Sequence, residues 1–267
     1  MKRKDFLAKN RNFAQRNLKI RSFSTKIMQE NTLFLVLMCI GASFVQRVSG
    51  FGFGIFIMTV LPYLMPSYGE ATTLSGMCAM SMSLFIVIRQ WKHLKWSKLW
   101  YLLIVFLITS FFAVHFVSQA GDGLLKVFLG IILILASLWF FLLAGKVRLK
   151  TNKPTQTILG TLSGVMGGLF GMQGPPAVLY FVETTETKEE YMAIAQTYFL
   201  IGNLMMTGYR AYYGFLTSTV LIDYCYGIFG VVIGTILGSY AFKHMSLPIL
   251  KKIIYAYMAV SGVMCLL

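Results

Sequence analysis

The chain has 267 residues, of which 57% are hydrophobic and 12% charged, with a formal net charge of +15. Soluble domains carry about 25% charged and about 45–50% apolar residues, so the polar surface here is too small to wrap a water-soluble globule. A chain this apolar cannot stay solvated as disorder either. A soluble enzyme is excluded, and a polytopic membrane protein remains.

Residues 1–30 hold nine Lys and Arg against Asp5 and Glu30. The first long apolar run starts only at Thr32, so no cleaved secretory signal is expected. Phe6, Phe13, Ile20 and Phe23 recur among the cations, which suits a tail resting on anionic lipid headgroups. Its charge predicts a cytoplasmic location.

Apolar runs then follow at 33–44, 51–65, 71–88, 99–117, 124–144, 158–170, 175–182, 191–208, 220–242 and 247–267. A spanning helix needs about 20 apolar residues, and four of these runs are too short to cross alone. The short ones form two adjacent pairs, interrupted by Gly50-Phe51-Gly52-Phe53-Gly54 and by Gly167 to Gly174. Each pair is either one broken crossing or a tight hairpin. Lys and Arg in short loops favour the cytoplasm. Reading each pair as one broken crossing puts eighteen basic residues inside, among them the loop of Arg89, Lys92, Lys95 and Lys98 and also Arg210, and five outside, with the acidic loop of Glu183, Glu186, Glu189 and Glu190 outside.

The expectation is therefore an all-α polytopic protein of the cell (inner) membrane, with about eight crossings and both termini cytoplasmic. A basic tail (1–30) precedes a first four-helix repeat (31–145). A basic cytoplasmic linker (146–155) joins it to a second four-helix repeat (156–267). Gly54 aligns with Gly174, Glu70 with Glu190, and Arg89 with Arg210 one residue further on. With four crossings per half, this predicts a parallel repeat.

Backbone groups freed by a helix break are tolerated in hydrocarbon only where protein or water satisfies them, so two matching breaks point to a shared cavity. Half-helices starting after Gly54 and Gly174 would aim free N–H groups into it, and Pro175 suits the first turn of such a helix. The expected ligand is a small anion. Arg47, an arginine at depth just before the first break, is the leading candidate to bind it; the alternative is a side chain that reaches the interface. Gln46, Ser49, Gly52, Gly54, Gly171, Gln173 and Gly174 complete the expected binding set, with Ser163 and Asn203 as cavity lining. Gln196 and Asn203, seven residues apart, project from one helical face and suit either cavity lining or an interhelical hydrogen bond. His115 could carry a proton. The four cysteines are dispersed without CxxC spacing, so neither metal nor cofactor is expected, and nothing points to nucleic acid.

These glycine-rich breaks, with Leu61-Pro62 and Glu70-Ala71-Thr72-Thr73 after the first and Pro175-Pro176, Glu190 and Ala193 to Thr197 after the second, resemble the TauE/SafE family of anion transporters, often called sulfite exporters. The resemblance covers about residues 32–267. It implies secondary transport of sulfite, sulfonates or related small organic anions. Pro175-Pro176 stands where many relatives carry further glycines, and the resemblance does not carry Arg47 over as a family residue. The sequence has no Walker-type loop. An anion channel and a non-transport membrane protein are the rival readings, and a homo-oligomer is left open.

Overall fold

The structure, a computed structural model, describes residues 31–125, 127–129, 131, 151–246 and 249. The basic tail, the first half of the linker, most of the 124–144 run and most of the last apolar run lie outside the described residues, as do the expectations placed on them.

Helix α1 spans Asn31–Ser49. After the first break come two short helices, α2 (Phe53–Met58) and α3 (Leu61–Leu64), then the long α4 (Tyr68–Gln90) and α5 (Trp100–Gln119). The second half holds α6 (Lys153–Phe170), α7 (Gly174–Thr184), α8 (Lys188–Tyr212) and α9 (Ser218–Lys243). Starts are chemically marked: Ser67, Asn152, Thr187 and Thr217 accept side-chain cap bonds from the N–H groups of Glu70, Thr155, Glu190 and Val220. These satisfy donors that the first helical turn leaves free. Ser67-x-x-Glu70 and Thr187-x-x-Glu190 share the spacing of a capping box, which is why the two acids align in the repeat.

Four described helices are long and apolar enough to cross a membrane: Asn31–Ser49, Tyr68–His93, Trp100–Gln119 and Ser218–Lys243. Their outward faces carry exposed apolar side chains such as Ile104, Ile108 and Phe112 on α5 and Phe229, Ile236 and Tyr240 on α9. Lipid offers no hydrophobic gain for helix association, so close backbone approach must supply it. A Cβ on Gly230 or Gly234 of α9 would stand 2.4 and 2.3 Å from the Val36 and Ile40 carbonyl oxygens of α1. Gly160, Gly164 and Gly168 seat α6 on α5 in the same way. Helix α8 is the innermost, with Tyr191, Ile194, Ala195, Gln196, Tyr198 and Arg210 all buried.

The contacts fix the directions of the six long described helices. Helices α1, α4 and α9 run one way: Gly230 meets Val36 and Gly238 meets Arg47, while Ser81 bonds Tyr224 and the α4–α9 groove continues to Arg89 and Ile236. Helices α5, α6 and α8 run the other way, since Tyr101 pairs with Thr157, Gly168 meets Ala113, Phe106 packs on Tyr198 and His115 bonds Tyr213. Corresponding helices of the two halves (α1 and α6, α4 and α8, α5 and α9) are thus antiparallel. The corresponding described helices of the two halves run in opposite directions, where the sequence predicted a parallel arrangement.

The reason lies in the breaks, each of which is a hairpin. Asn31 and Thr32 at the start of α1 share a cavity with Leu61, Leu64 and Met65 at the end of α3, so the chain returns to the end from which it entered. In the second half, α6 starts beside α5's first turn, and the α7 terminus returns there, Lys98 Nζ donating to the Thr184 carbonyl. Gly50, Gly52 and Gly171 make the reversals with φ of 88°, 107° and 69°, a region glycine enters at no steric cost. A further expectation falls with the parallel repeat. The basic loop 91–99 was placed opposite the acidic loop, yet Lys98 and Lys95 reach Glu190 at 2.8 and 3.3 Å. Asn31, where α1 begins, also lies at the end of the bundle opposite loop 91–99.

Candidate functional site

The two breaks meet at the centre of the bundle. A Cβ on Gly54 would lie 2.1 Å from the Gly171 carbonyl oxygen, and one on Gly174 would lie 3.1 Å from Phe51 Cβ. Gly54 is therefore required by the other break's backbone, where the sequence had suggested ligand space. Between them is a cavity of about 20 Å³ lined by Gln46, Gly52, Gly54, Gly171, Gln173, Gly174 and Asn203, with Ile55, Ala79, Met172, Pro175 and Phe199 as the apolar remainder. That volume holds about one water molecule.

The first break is satisfied by neutral amides. Gln46 Oε1 accepts from the Phe53 N–H at 3.1 Å, capping α2, and its Nε2 donates to Gln196 Oε1 at 3.3 Å. Gln196 also accepts from Ser83 Oγ at 2.9 Å and donates to the Gly50 carbonyl at 2.7 Å. Ser49 Oγ donates to the Val45 and Phe51 carbonyls, and Tyr191 donates to the Ser49 carbonyl. Ser49 thus ties down the turn and does not line the cavity.

The second break is held differently. Gly171 ends α6 in a left-handed C-cap, its N–H and that of Met172 bonding the Gly167 and Met166 carbonyls, as in a Schellman-type ending. Ser163 Oγ donates to the Gln173 carbonyl and accepts from Tyr198 Oη at 2.7 Å. Arg210 Nη2 donates to the carbonyls of Gly167 and Gly168, and Nη1 to that of Thr72, each at 3.1 Å. Two of these acceptors lie in the last turn of α6, where the helix dipole favours a cation. Gln173 is buried beside the cavity with its Oε1 unpartnered.

Arg47 sits elsewhere. Its Nε donates to Ser239 Oγ at 2.8 Å and its guanidinium stacks on Phe242 at 4.4 Å from the ring centroid, so it faces α9 and does not line the cavity. His115 pairs with Tyr213 near an exposed helix end. Of the expected residues, the structure brings together Gln46, Gly52, Gly54, Gly171, Gln173, Gly174 and Asn203, supports them with Ser49 and Ser163, and leaves Arg47 apart. Sequence reasoning missed Tyr198, Ser83 and above all Arg210, which charge counting had put in a cytoplasmic loop. Gln196 was visible through its seven-residue spacing from Asn203, but its partners were not.

The family model for the sulfite exporter TauE/SafE matches residues 33–265. The chain belongs to the TauE/SafE family. With this family and its apolar helices, it is a multi-pass membrane protein. It is similar to a protein of Cupriavidus necator described as a probable sulfite/organosulfonate exporter TauE, with 22% identity over 200 residues that cover 73% of this chain and 78% of that one. No solved structure gives a significant match.

Proposed function

We propose that this TauE/SafE member is a secondary transporter of small sulfur oxyanions, sulfite or organosulfonates, which bind between the two glycine breaks. One observation supports this reading most strongly. Two antiparallel halves bring matched hairpins face to face around a buried polar cavity. Inverted repeats with discontinuous helices at their interface are the arrangement in which one half can rock against the other around a shared site.

The anion is held by the polar side chains that converge there, Gln46, Gln173 and Asn203, together with backbone of the breaks. The unpartnered Gln173 oxygen belongs to an amide that can rotate to present its NH₂ donors. A cavity with room for about one water molecule cannot hold a sulfur oxyanion, so loading requires the halves to part. At one end that motion must break the Lys98–Glu190 pair, which joins loop 91–99 of the first half to α8 of the second. The test is counterflow of labelled sulfite in proteoliposomes. Trans-stimulated exchange supports a carrier; uptake without trans-stimulation makes the protein a channel, and no uptake of sulfite or sulfonate removes the reading.

A further inference from the structure

Arg210 is fully buried, and no carboxylate among the described residues forms an ion pair with it. A lone buried cation is costly unless something neutralises it. The carbonyls of Thr72, Gly167 and Gly168 take three of its N–H groups. A guanidinium has five, and Nε has no partner.

The space next to it is bounded by polar groups. Gly76 of α4 has no side chain, and a Cβ there would lie 3.3 Å from Thr207 Oγ1, 3.5 Å from Arg210 Nη1 and 3.8 Å from Asn203 Oδ1. Three polar groups from α8 thus converge on the bare Cα of a glycine. Thr207 Oγ1 is itself buried and unpartnered. Asn203 lines the cavity between the breaks as well, so it belongs to both places. The aligned position in the second half carries Gln196, whose amide bonds Gln46, Ser83 and the Gly50 carbonyl; the first half has no side chain there.

We infer that Arg210, Thr207 and Asn203 over Gly76 form a second oxyanion station, one step from the central cavity towards the end where α8 finishes. It rests on the transport reading above and adds the charge that the central cavity lacks. The free N–H groups of Arg210 and the Thr207 hydroxyl donate to oxygens of the anion, which supplies the negative charge that Arg210 has no carboxylate to provide. Asn203 passes the anion between the two places. The carbonyl bonds position the guanidinium, so its clamp on α6 and its contact with the anion are parts of one arrangement.

The test compares sulfite counterflow in proteoliposomes with thermal unfolding in detergent for wild type, Gly76→Ala, Thr207→Val and Arg210→Lys. Alanine is favoured over glycine within a helix, so Gly76→Ala is expected to unfold no lower than wild type. By filling the cradle it should raise the apparent KM for sulfite about tenfold. Thr207→Val, which removes one donor, should raise it about three- to tenfold. Arg210→Lys, which keeps charge without the fork, should retain measurable exchange with a raised KM. Wild-type KM in both Gly76→Ala and Thr207→Val overturns the station and leaves Arg210 a structural clamp. Absence of transport in the wild type overturns the functional reading itself, a separate result.

Discussion

The two glycine breaks look alike in sequence and are held by different chemistry. The first rests on neutral side chains: Gln46, Gln196, Ser49 and Ser83 share out its backbone groups. The second rests on a buried cation, Arg210, backed by Ser163 and Tyr198. Both draw on α8, which supplies Tyr191 and Gln196 to one break and Tyr198 and Arg210 to the other. Its antiparallel counterpart α4 gives mainly Ser83 and the Thr72 carbonyl. An inverted repeat can thus be symmetric in backbone while one helix carries the polar load for both halves. That load explains why α8, the most enclosed helix, is not among the four apolar enough to qualify as a span by composition.

The ends differ too. Glu190 is gripped by Lys98 and Lys95, whereas Glu70, its repeat counterpart, is buried with Oε2 unpartnered. Among the described residues, ion pairs fasten the Glu190 end of the interface between halves and none is found at the Glu70 end.

The largest expected effect tests the hairpins on which this comparison depends. Single cysteines at Lys95 and Glu186, in a background without other cysteines, should label with an impermeant thiol reagent from the same side of the membrane. Labelling from opposite sides would restore the single broken crossings. Next comes the contrast between the breaks. Arg210→Met strands three buried carbonyls and should destabilise the protein by about 3–5 kcal/mol, against about 2 kcal/mol for Gln196→Leu. Thermal unfolding in detergent measures both, and equal losses would mean that charge does not distinguish the breaks. Gly54→Ala, with its Cβ 2.1 Å from a carbonyl oxygen, should cost about 3 kcal/mol, and Gly174→Ala, at 3.1 Å from a side-chain carbon, about 1 kcal/mol. A reversed order would show that the second break is the tighter one. Smallest is Arg47→Gln, which loses the stack on Phe242 and the Ser239 bond for about 1 kcal/mol. It should leave apparent sulfite affinity within about twofold; a tenfold loss would bring Arg47 into the site.

Composition and spacing alone established much of this protein. An apolar excess with few charges requires a membrane solvent, because too little polar surface exists to meet water. Glycine clusters at matching places in two halves mark broken helices, because only glycine takes the left-handed turns at Gly50, Gly52 and Gly171. The polar residues flanking them, Gln46 and Gln173, were legible for the same reason, since freed backbone in hydrocarbon needs partners nearby. What the tertiary structure decided was direction and depth. Whether a break continues a crossing or reverses it depends on a few backbone angles, and loop charges do not report them. The side a basic residue faces depends on that reversal. Arg210 has the same local composition whether it sits at an interface or inside the bundle, and only the packing of α8 against α4 and α6 put it beside three carbonyls. Arg47 shows the converse: the same residue type, also buried, turned away from the breaks towards α9, because Phe242 and Ser239 offered it a stack and a hydrogen bond.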